Sequence, residues 1–257
     1  MTRTWFADER HAEILRLLEA DGRAESASLA EKFAVSAESV RKDLALLEGR
    51  GLLRRVHGGA VPCEPSRAEP HVADRGVRLA EKSSIARRAL RFVPDGGSLL
   101  LDAGSTTLRL AEMLPTDREL VVYTNSWPVG AALHARGVDV VALGGRIRPA
   151  TMAAVGGLTG QALAAVNADV AFLGTNAVSF DRGLTTPDTD EADVKHRMLA
   201  AARQRVFLVD SSKFGHVSHA RHATLDDVDV MVTDAGVSPA DLGRLRAAGV
   251  TVEVADR

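Results

Sequence analysis

One short turn, at residues 102–107, has the composition of an anion-binding site. An apolar run at residues 99–101 leads directly into Asp102, Ala103, Gly104, Ser105, Thr106 and Thr107. Gly104 allows a tight backbone turn, and hydroxyls and backbone amides at the start of a helix favour a phosphate or another anion. Taken alone the pattern is weak evidence, because a Gly-Ser-Thr turn also serves simply to cap a helix.

Four other apolar runs also end in small or polar residues. These residues are Thr124, Asn125 and Ser126, then Gly144 and Gly145, then Gly174, Thr175 and Asn176, and finally Asp210, Ser211, Ser212 and Lys213. In open α/β sheets ligands bind outside the carboxyl ends of the strands, so these residues are expected to form one site with Asp102. The chain has neither a Gly-x-Gly-x-x-Gly nor a phosphate-loop Gly-Lys-Ser/Thr sequence, and no nucleotide or other cofactor is predicted.

Two further clusters carry groups that could perform chemistry. Asp188, Asp190, Glu191 and Asp193 precede a helix. Asp190 and Asp193 are interpreted as acids favoured by the helix dipole, whereas a role for Glu191 stays open. Three histidines recur every third residue, at His216, His219 and His222. A solvated polar loop is favoured for them over metal binding, and no metal site is predicted.

The elements that must position these groups follow from the apolar pattern. Apolar runs lie at residues 99–101, 120–123, 138–143, 170–173, 206–209, 228–232 and 250–254. Unbroken runs suit strands buried on both faces, and helical segments separate most of them. The alternation predicts an α/β fold with a helix-covered, mostly parallel sheet over residues 80–257. Pro62, Pro65 and Pro70 interrupt regular structure before it, so residues 62–79 are the predicted linker.

Residues 1–61 have the order of elements found in a winged helix-turn-helix domain. A first helix is indicated by Ile14, Leu15, Leu17 and Leu18. Ser26 and Ser36 are placed to cap two further helices. Residues 52–61 then predict two short strands around a turn. In this arrangement the third helix lies in the major groove of DNA.

The third helix and the strand pair carry the expected DNA-binding residues. They are Ser36, Glu38, Ser39, Arg41 and Lys42 on the helix, and Arg54, Arg55 and His57 on the wing. Residues 41–57 contain five basic and two acidic residues, a local charge of +3, whereas residues 1–60 contain ten of each. The positive charge is therefore concentrated where phosphates would lie. An ordinary three-helix module with a solvated charged face is the alternative.

Composition excludes several other classes of protein. The chain has 257 residues, a formal net charge of -2 and a single cysteine, Cys63, which rules out an internal disulfide and a cysteine-based zinc site. Residues 1–10 are polar and lack the apolar core of a signal peptide. No run approaches the ~20 apolar residues of a membrane span. A cytoplasmic protein without a membrane partner is expected.

The first half of the chain resembles the DeoR family of bacterial regulators. The resemblance is carried by residues 29–36, 40–44 and 47–60. The family typically has Val-Ser-x-x-Thr-Ile-Arg-Arg-Asp-Leu at its recognition helix and His-Gly-Gly-Ala at its wing. Here Ser39, Val40 and Lys42 replace Thr, Ile and the second Arg. These changes keep the DNA-binding role, but Lys42 lacks the bidentate fork of arginine, which bears on the operator recognised.

The second half is similar to the sensor domain of the same family. The matching segments are residues 102–107, 124–126, 144–145, 183–185, 191–195 and 210–215. The resemblance implies a fold similar to ribose-5-phosphate isomerase and glucosamine-6-phosphate deaminase, and a phosphorylated sugar or polyol as effector. It implies that Lys195 and Lys213 complement negative charge near the site and that Glu191 belongs to the motif. Asn176 stands where the family often has glycine, which bears on ligand access.

Three hypotheses follow. The favoured one is a repressor of a carbohydrate-metabolism operon that binds double-stranded operator DNA as a homodimer or homotetramer. The alternative is an isomerase or deaminase acting on sugar phosphates, since fold does not determine function. A DNA-binding module whose second domain binds no ligand is the third. The helix-turn-helix pattern of the first sixty residues favours the regulator, because such an enzyme does not need it.

Overall fold

A computed structural model describes residues 5–49, 52–62 and 78–256 of the chain. The chain divides into two compact units, residues 1–74 and 75–257. Pro62 is the last residue of a strand and Leu79 is the first residue of a helix. The two end residues of the predicted linker, 62–79, therefore belong to regular secondary structure. Residues 63–77, with Cys63, and Arg50 lie outside the described residues.

The first unit contains three helices and a small antiparallel sheet. The helices are α1 (Ala7–Asp21), α2 (Ser26–Phe33) and α3 (Ala37–Gly49), and the strands are β1 (Ala24–Glu25), β2 (Leu53–Val56) and β3 (Gly59–Pro62). The strand order is β1-β3-β2. The predicted helices and wing strands are confirmed. Ser26 was expected to cap α2 but is its first residue, because its amide donates to the Gly58 carbonyl (2.8 Å) and Glu25 takes the cap position.

Apolar residues at helical spacing form the core of this unit. On α1, Ile14 and Leu18 are buried, while Leu15 and Leu17 are only partly buried. The face of α3 that turns inward consists of Val40, Leu44 and Leu47. These side chains join Leu29, Phe33, Leu53 and Ala60 in one cluster. The opposite face of α3 is left for solvent or a partner.

The second unit has six helices and twelve strands among the described residues. The helices are α4 (Leu79–Ala89), α5 (Ser105–Met113), α6 (Trp127–Ala135), α7 (Gly157–Ala164), α8 (Thr189–Ala200) and α9 (Pro239–Ala247). The first six strands are β4 (Gly96–Leu101), β5 (Glu119–Thr124), β6 (Asp139–Ala142), β7 (Arg146–Arg148), β8 (Ala153–Val155) and β9 (Ala168–Leu173). The others are β10 (Ala177–Ser179), β11 (Gly183–Thr186), β12 (Ala202–Leu208), β13 (Ala220–Ala223), β14 (Val230–Asp234) and β15 (Thr251–Ala255).

Seven of these strands form the main sheet, in the order β15-β14-β12-β9-β4-β5-β6. Every neighbouring pair is parallel. All seven match the predicted apolar runs, which confirms the helix-covered parallel sheet. The chain builds β4, β5 and β6 outward in one direction and then crosses back to place β9 on the other side of β4. The carboxyl ends of β4 and β9 therefore form the topological switch point, where ligands of such sheets bind.

The sheet separates two apolar clusters. On one face Leu99 and Leu101 pack with residues of α4, α5 and α6. On the other, Leu100 packs with residues of α7, α8 and α9. The alternation has the two-residue period of a strand, and both faces are covered. Within the described ranges, no helix is both long and apolar enough to cross a bilayer.

Two smaller sheets lie outside the predicted runs. One is the antiparallel hairpin β7–β8, and the other has the order β10-β11-β13. The loop predicted around His222 is wrong at that residue, because β13 pairs with β11 and His222 is 2% exposed. Its Nε2 lies 3.1 Å from the Thr175 hydroxyl. His216 and His219 are exposed. No group of three or more potential metal ligands occurs in the described part of the chain.

Candidate anion-binding site and nucleic-acid interface

The switch point is occupied by a buried ion pair. Asp102 follows β4 and Gly174 follows β9, and the Gly174 amide donates to the Asp102 carboxylate (3.1 Å). The Lys195 ammonium, on α8, binds the same carboxylate oxygen and donates to the Gly174 carbonyl (3.0 Å). The two charged side chains are 2% and 5% exposed. One contact therefore joins three elements and brings together three of the residues expected in the site.

Helix α5 begins directly beside this pair. Gly104 precedes it, and no described side chain caps its first turn. The first amides of a helix have no intrahelical acceptor, so those of Ser105, Thr106 and Thr107 remain available to an anion. The Thr107 hydroxyl turns back to the Gly104 carbonyl (2.9 Å), which makes it a structural group. Thr106 is buried and Ser105 is partly exposed.

The end of β5 places a polar side chain that lacks one partner. Thr124 donates to the Leu101 carbonyl (2.7 Å) and so ties β5 to β4. The Asn125 amide nitrogen donates to the Ala154 carbonyl (3.1 Å). The side-chain amide oxygen of Asn125 (Oδ1) is buried and receives no hydrogen bond from the described residues. An unsatisfied buried acceptor costs about 1–3 kcal/mol, which a ligand hydroxyl would recover.

Glu191, at the start of α8, is the centre of a second network. Its carboxylate accepts from the Thr151 hydroxyl and from the Arg148 guanidinium (3.2 Å). Its other oxygen lies 3.5 Å from the Thr186 hydroxyl, which donates to the Asn176 side chain (2.9 Å). Asn176 and Glu191 are thereby connected through Thr186. Sequence reasoning missed Arg148, Thr151 and Thr186, which lie outside the motifs.

Of the two acids interpreted as favoured by the helix dipole, Asp190 lies in the first turn of α8, whereas Asp193 lies beyond that turn, where the dipole interpretation does not apply. The Asp188 carboxylate accepts from the Glu191 amide (3.0 Å) and so caps α8. Asp190 pairs with Arg146, and Asp193 pairs with Arg197 (2.8 Å). The Asp190 and Asp193 side chains are about half exposed, at 48% and 50%. These acids therefore bind the helix start or surface arginines.

The remaining predicted residues stand apart from the ion pair. The Gly144 carbonyl accepts from the Thr159 hydroxyl (2.8 Å). A Cβ on Gly145 would lie 2.1 Å from the same hydroxyl oxygen, so this position requires glycine for close packing. Lys213 ends a short 3-10 turn after β12, and its backbone amide donates to the Asp210 carbonyl (3.1 Å). Its ammonium makes no hydrogen bond or ion pair within the described ranges. Its ammonium is therefore available at the same edge of the sheet.

The expected DNA-binding residues lie on the exposed side of α3 and on the wing. Ser36 caps α3 by accepting from the Ser39 amide (3.1 Å), which confirms the predicted cap. Arg41 is 67% exposed and pairs with Glu38 at 2.7 Å. Three exposed members of the set have no side-chain hydrogen bond or ion pair among the described residues: Lys42, Arg54 and His57. Exposed cations on one helix and its wing suit contacts to phosphates and base edges.

Two acidic residues of α3 hold this surface in place through contacts that were not predicted. Asp43, on the inner side of α3, binds Arg10 (2.8 Å) and His11 (2.9 Å) of α1. Burial raises the pKa of Asp43, but the hydrogen bonds from Arg10 and His11 outweigh it and leave this pKa below its usual value. Glu48, on α3, accepts from the amide (2.8 Å) and the guanidinium (2.6 Å) of Arg55 on β2, and the guanidinium contact lowers the pKa of Glu48.

Two kinds of solved structure are similar to parts of this chain. Ribose 5-phosphate isomerase A from Neisseria gonorrhoeae aligns over 52% of each chain with 18% sequence identity and a TM-score of 0.38. The eIF2B beta subunit from Chaetomium thermophilum aligns over 86% of this chain and 65% of its own, with 16% identity and a TM-score of 0.42.

Curated relatives match almost the whole chain. The transcriptional regulator GlpR of Haloferax volcanii is 36% identical over 95% of this chain and 96% of its own. FruR, an HTH-type transcriptional regulator of Bacillus subtilis, is 35% identical over 88% and 91%. A putative aga operon transcriptional repressor of Escherichia coli O157:H7 is 33% identical over 95% and 92%.

Two family models divide the chain between them. The DeoR-like helix-turn-helix domain matches residues 10–66, and the DeoR C-terminal sensor domain matches residues 77–235. Together they include α3 with its wing and all of the switch-point residues. The chain therefore belongs to the DeoR family of transcriptional regulators.

Proposed function

We propose that this protein represses a carbohydrate-metabolism operon and is controlled by a phosphorylated sugar or polyol bound at the switch point. The observation that carries the proposal is the buried Asp102–Lys195 pair beside the uncapped start of α5. A phosphate on the first amides of α5 gains the favourable end of the helix dipole. The aga operon repressor of Escherichia coli O157:H7, a relative over most of the chain, supports the role of a repressor.

The polarity of the site favours a hydroxylated ligand as well as an anionic one. The charges of Asp102 and Lys195 neutralise one another. Among the charged residues expected to bind the effector, Lys213 therefore carries the charge that no ion pair within the described residues neutralises. The side-chain oxygen of Asn125 (Oδ1) can accept from a ligand hydroxyl without losing a protein partner. A sugar or polyol phosphate combines both groups, whereas inorganic phosphate supplies neither the carbon chain nor its hydroxyls.

DNA binding is assigned to α3 and its wing. The set comprises Ser36, Glu38, Ser39, Arg41 and Lys42 on the helix, with Arg54, Arg55 and His57 on the wing. A homodimer or homotetramer would present recognition helices to half-sites about one helical turn apart, or a multiple of it. Effector binding would change operator affinity by a coupling of about 1–3 kcal/mol. The protein would act in the cytoplasm and catalyse no reaction.

The test is fluorescence anisotropy with labelled DNA from the region upstream of the gene and its neighbours. Binding is measured at one fixed salt concentration, because salt alone changes such affinities by orders of magnitude. The ligands are glycerol 3-phosphate, ribose 5-phosphate, glucose 6-phosphate and fructose 1-phosphate. Specific binding that one ligand shifts supports both assignments. No preference over random DNA, or turnover of a sugar phosphate well above background, would favour the isomerase or deaminase alternative.

Matched variants separate the two sites. Arg41→Ala should weaken specific DNA binding by about tenfold or more, the cost of one important contact. Arg16→Ala is its control, since Arg16 is similarly exposed (61%) and also pairs with a glutamate three residues earlier, but on α1. Thr106→Val should leave DNA binding intact and weaken the ligand response. Equal effects of the two arginine variants would remove α3 from the proposed interface.

A further inference from the structure

The hairpin of β7 and β8 bridges two parts of the switch-point rim. On the β8 side, the Ala154 amide donates to the Asn125 carbonyl (2.7 Å), and the Asn125 side chain donates back to the Ala154 carbonyl (3.1 Å). The Trp127 amide donates to the carbonyl of Met152 (3.1 Å), in the turn between the strands. The hairpin is thus attached to the loop that ends β5 and carries Asn125.

On its other side the hairpin is attached to the start of α8 through Arg148. The Arg148 guanidinium lies 3.1 Å from the Asp188 carboxylate and 3.2 Å from that of Glu191. The Arg148 side chain is 15% exposed and that of Glu191 is 5% exposed. Thr151, in the turn of the same hairpin, donates a further hydrogen bond to Glu191. A carboxylate buried to this extent needs a positive partner and hydrogen bonds to remain charged.

Glu191 and Lys195 are four residues apart on α8 and therefore lie on the same side of that helix. Lys195 binds Asp102, whereas Glu191 binds Arg148. Arg148 pairs in register with Ala153, next to the Ala154 that holds Asn125, so the contacts of Arg148 connect α8 with the Asn125 loop through the hairpin. The turn also contains a residue in the left-handed region, Met152 with φ +53, whose amide donates to the Arg148 carbonyl (2.8 Å). Such a backbone persists only where its surroundings hold it.

Arg148 also supplies charge balance. Asp102 and Lys195 cancel, whereas Arg148 is a cation that Asp188 (3.1 Å) and Glu191 (3.2 Å) share. Without Arg148 both carboxylates would lose this cation beside a site for an anion, and they would repel that anion more strongly.

We propose that Arg148 is a positioning residue of the effector site, which holds the hairpin against α8 and keeps the rim compatible with a phosphorylated ligand. The inference rests on the proposed function only for the identity of the ligand. The attachment of the hairpin to α8 is independent of it.

The experiment compares Arg148→Met with Arg146→Met in the full-length protein. Arg146 lies on the same strand and also pairs with an acid of α8, but it is 61% exposed, and such pairs contribute little. Calorimetry gives the dissociation constant for each of the four sugar phosphates and for inorganic phosphate. Hydrogen exchange of the Ala154 amide reports whether the hairpin stays attached. We expect Arg148→Met to weaken ligand binding by about tenfold or more and to speed the exchange of the Ala154 amide. Arg146→Met should have neither effect.

Two further readouts separate charge from mere structural damage. Adding Glu191→Gln to Arg148→Met removes one of the carboxylates that lost Arg148, so the affinity for the ligand should partly return. Raising the salt concentration should reduce the difference in ligand affinity between Arg148→Met and wild type. Arg148→Lys should be intermediate. Unchanged Ala154 exchange in Arg148→Met would overturn the positioning role, with or without a ligand. If the losses of ligand affinity from Arg148→Met and Glu191→Gln simply added in the double variant, Arg148 would not act by balancing the charge of Glu191. Failure of wild type to bind any of the ligands would instead refute the sugar-phosphate function, while the exchange result would still decide the role of Arg148.

Discussion

Replacing Lys195 with methionine should strongly destabilise the sensor domain, because it leaves the Asp102 carboxylate buried without its cation. Both side chains are at most 5% exposed, so solvent cannot compensate for the loss. After the change, the carboxylate would keep only the Gly174 amide of its described partners (3.1 Å). The Gly174 carbonyl would lose a hydrogen bond as well (3.0 Å).

The magnitude follows from the burial of the pair. Removing one partner of a buried ion pair typically costs about 3–5 kcal/mol. In a unit of 150–250 residues each kcal/mol lowers the midpoint of thermal unfolding by about 2–4 °C, so a fall of roughly 6–20 °C is expected. The transition can be followed by the fluorescence of Trp127 in a Trp5→Phe background, because the chain has only two tryptophans and Trp5 lies in the first unit.

Two comparisons make the expectation refutable. Lys195→Met combined with Asp102→Asn should unfold at a higher temperature than Lys195→Met alone, since it removes the uncompensated charge and keeps an acceptor for the Gly174 amide. Arg203→Met should have an effect within about 0.5 kcal/mol, because Arg203 is 86% exposed and 3.8 Å from its nearest acid partner. A double variant less stable than the single one would show that burial of the carboxylate is not the cause.

Three further outcomes are expected. The stability that ionised Asp43 contributes is complete above its usual pKa of 3.8 and is lost as pH falls through the lowered pKa of the folded form, so the gap between wild type and Asp43→Asn in thermal melts should close in acid. Gly145→Ala should cost about 1–3 kcal/mol in denaturant unfolding, because its Cβ would lie 2.1 Å from a hydroxyl oxygen of α7. Gly130→Ala, with its nearest neighbour at 3.7 Å, is the control and should not destabilise. Burial lowers the pKa of His222 well below its usual value of 6.5, so in nitrogen-15 NMR spectra its ring should remain neutral as the pH falls through 6.5.

The main sheet could be predicted from the sequence because its strands are buried on both faces. Each strand then needs an unbroken apolar run, and such runs are visible without a structure. Strands β7, β8 and β13 could not be found in this way. Strand β7 consists of Arg146, Ile147 and Arg148, and β13 contains Arg221 and His222. Their pairing depends on partners distant in the chain, which local composition does not specify.

The residues of the candidate site could be predicted from the sequence where they directly follow a strand. Asp102, Asn125 and Gly174 each follow an apolar run, and parallel pairing brings those ends to one edge. What the sequence does not indicate is which of the side chains bind one another. Nothing in the local pattern shows that Lys195 binds Asp102, 93 residues away, or that Arg148 binds Glu191, 43 residues away.

The ion pair restricts how a phosphorylated ligand can bind. A phosphate that took Lys195 from Asp102 would leave a buried carboxylate uncompensated, at a cost of about 3–5 kcal/mol, comparable with a large part of a micromolar binding energy. A phosphate on the first amides of α5 incurs no such cost, because those amides have no partner within their helix. The second mode is therefore favoured, and in it the pair stays intact and holds β4, β9 and α8 together. In the proposed function the ligand would then act on the parts of the rim that the pair does not fix, which are the start of α5, the Asn125 loop and the hairpin held by Arg148.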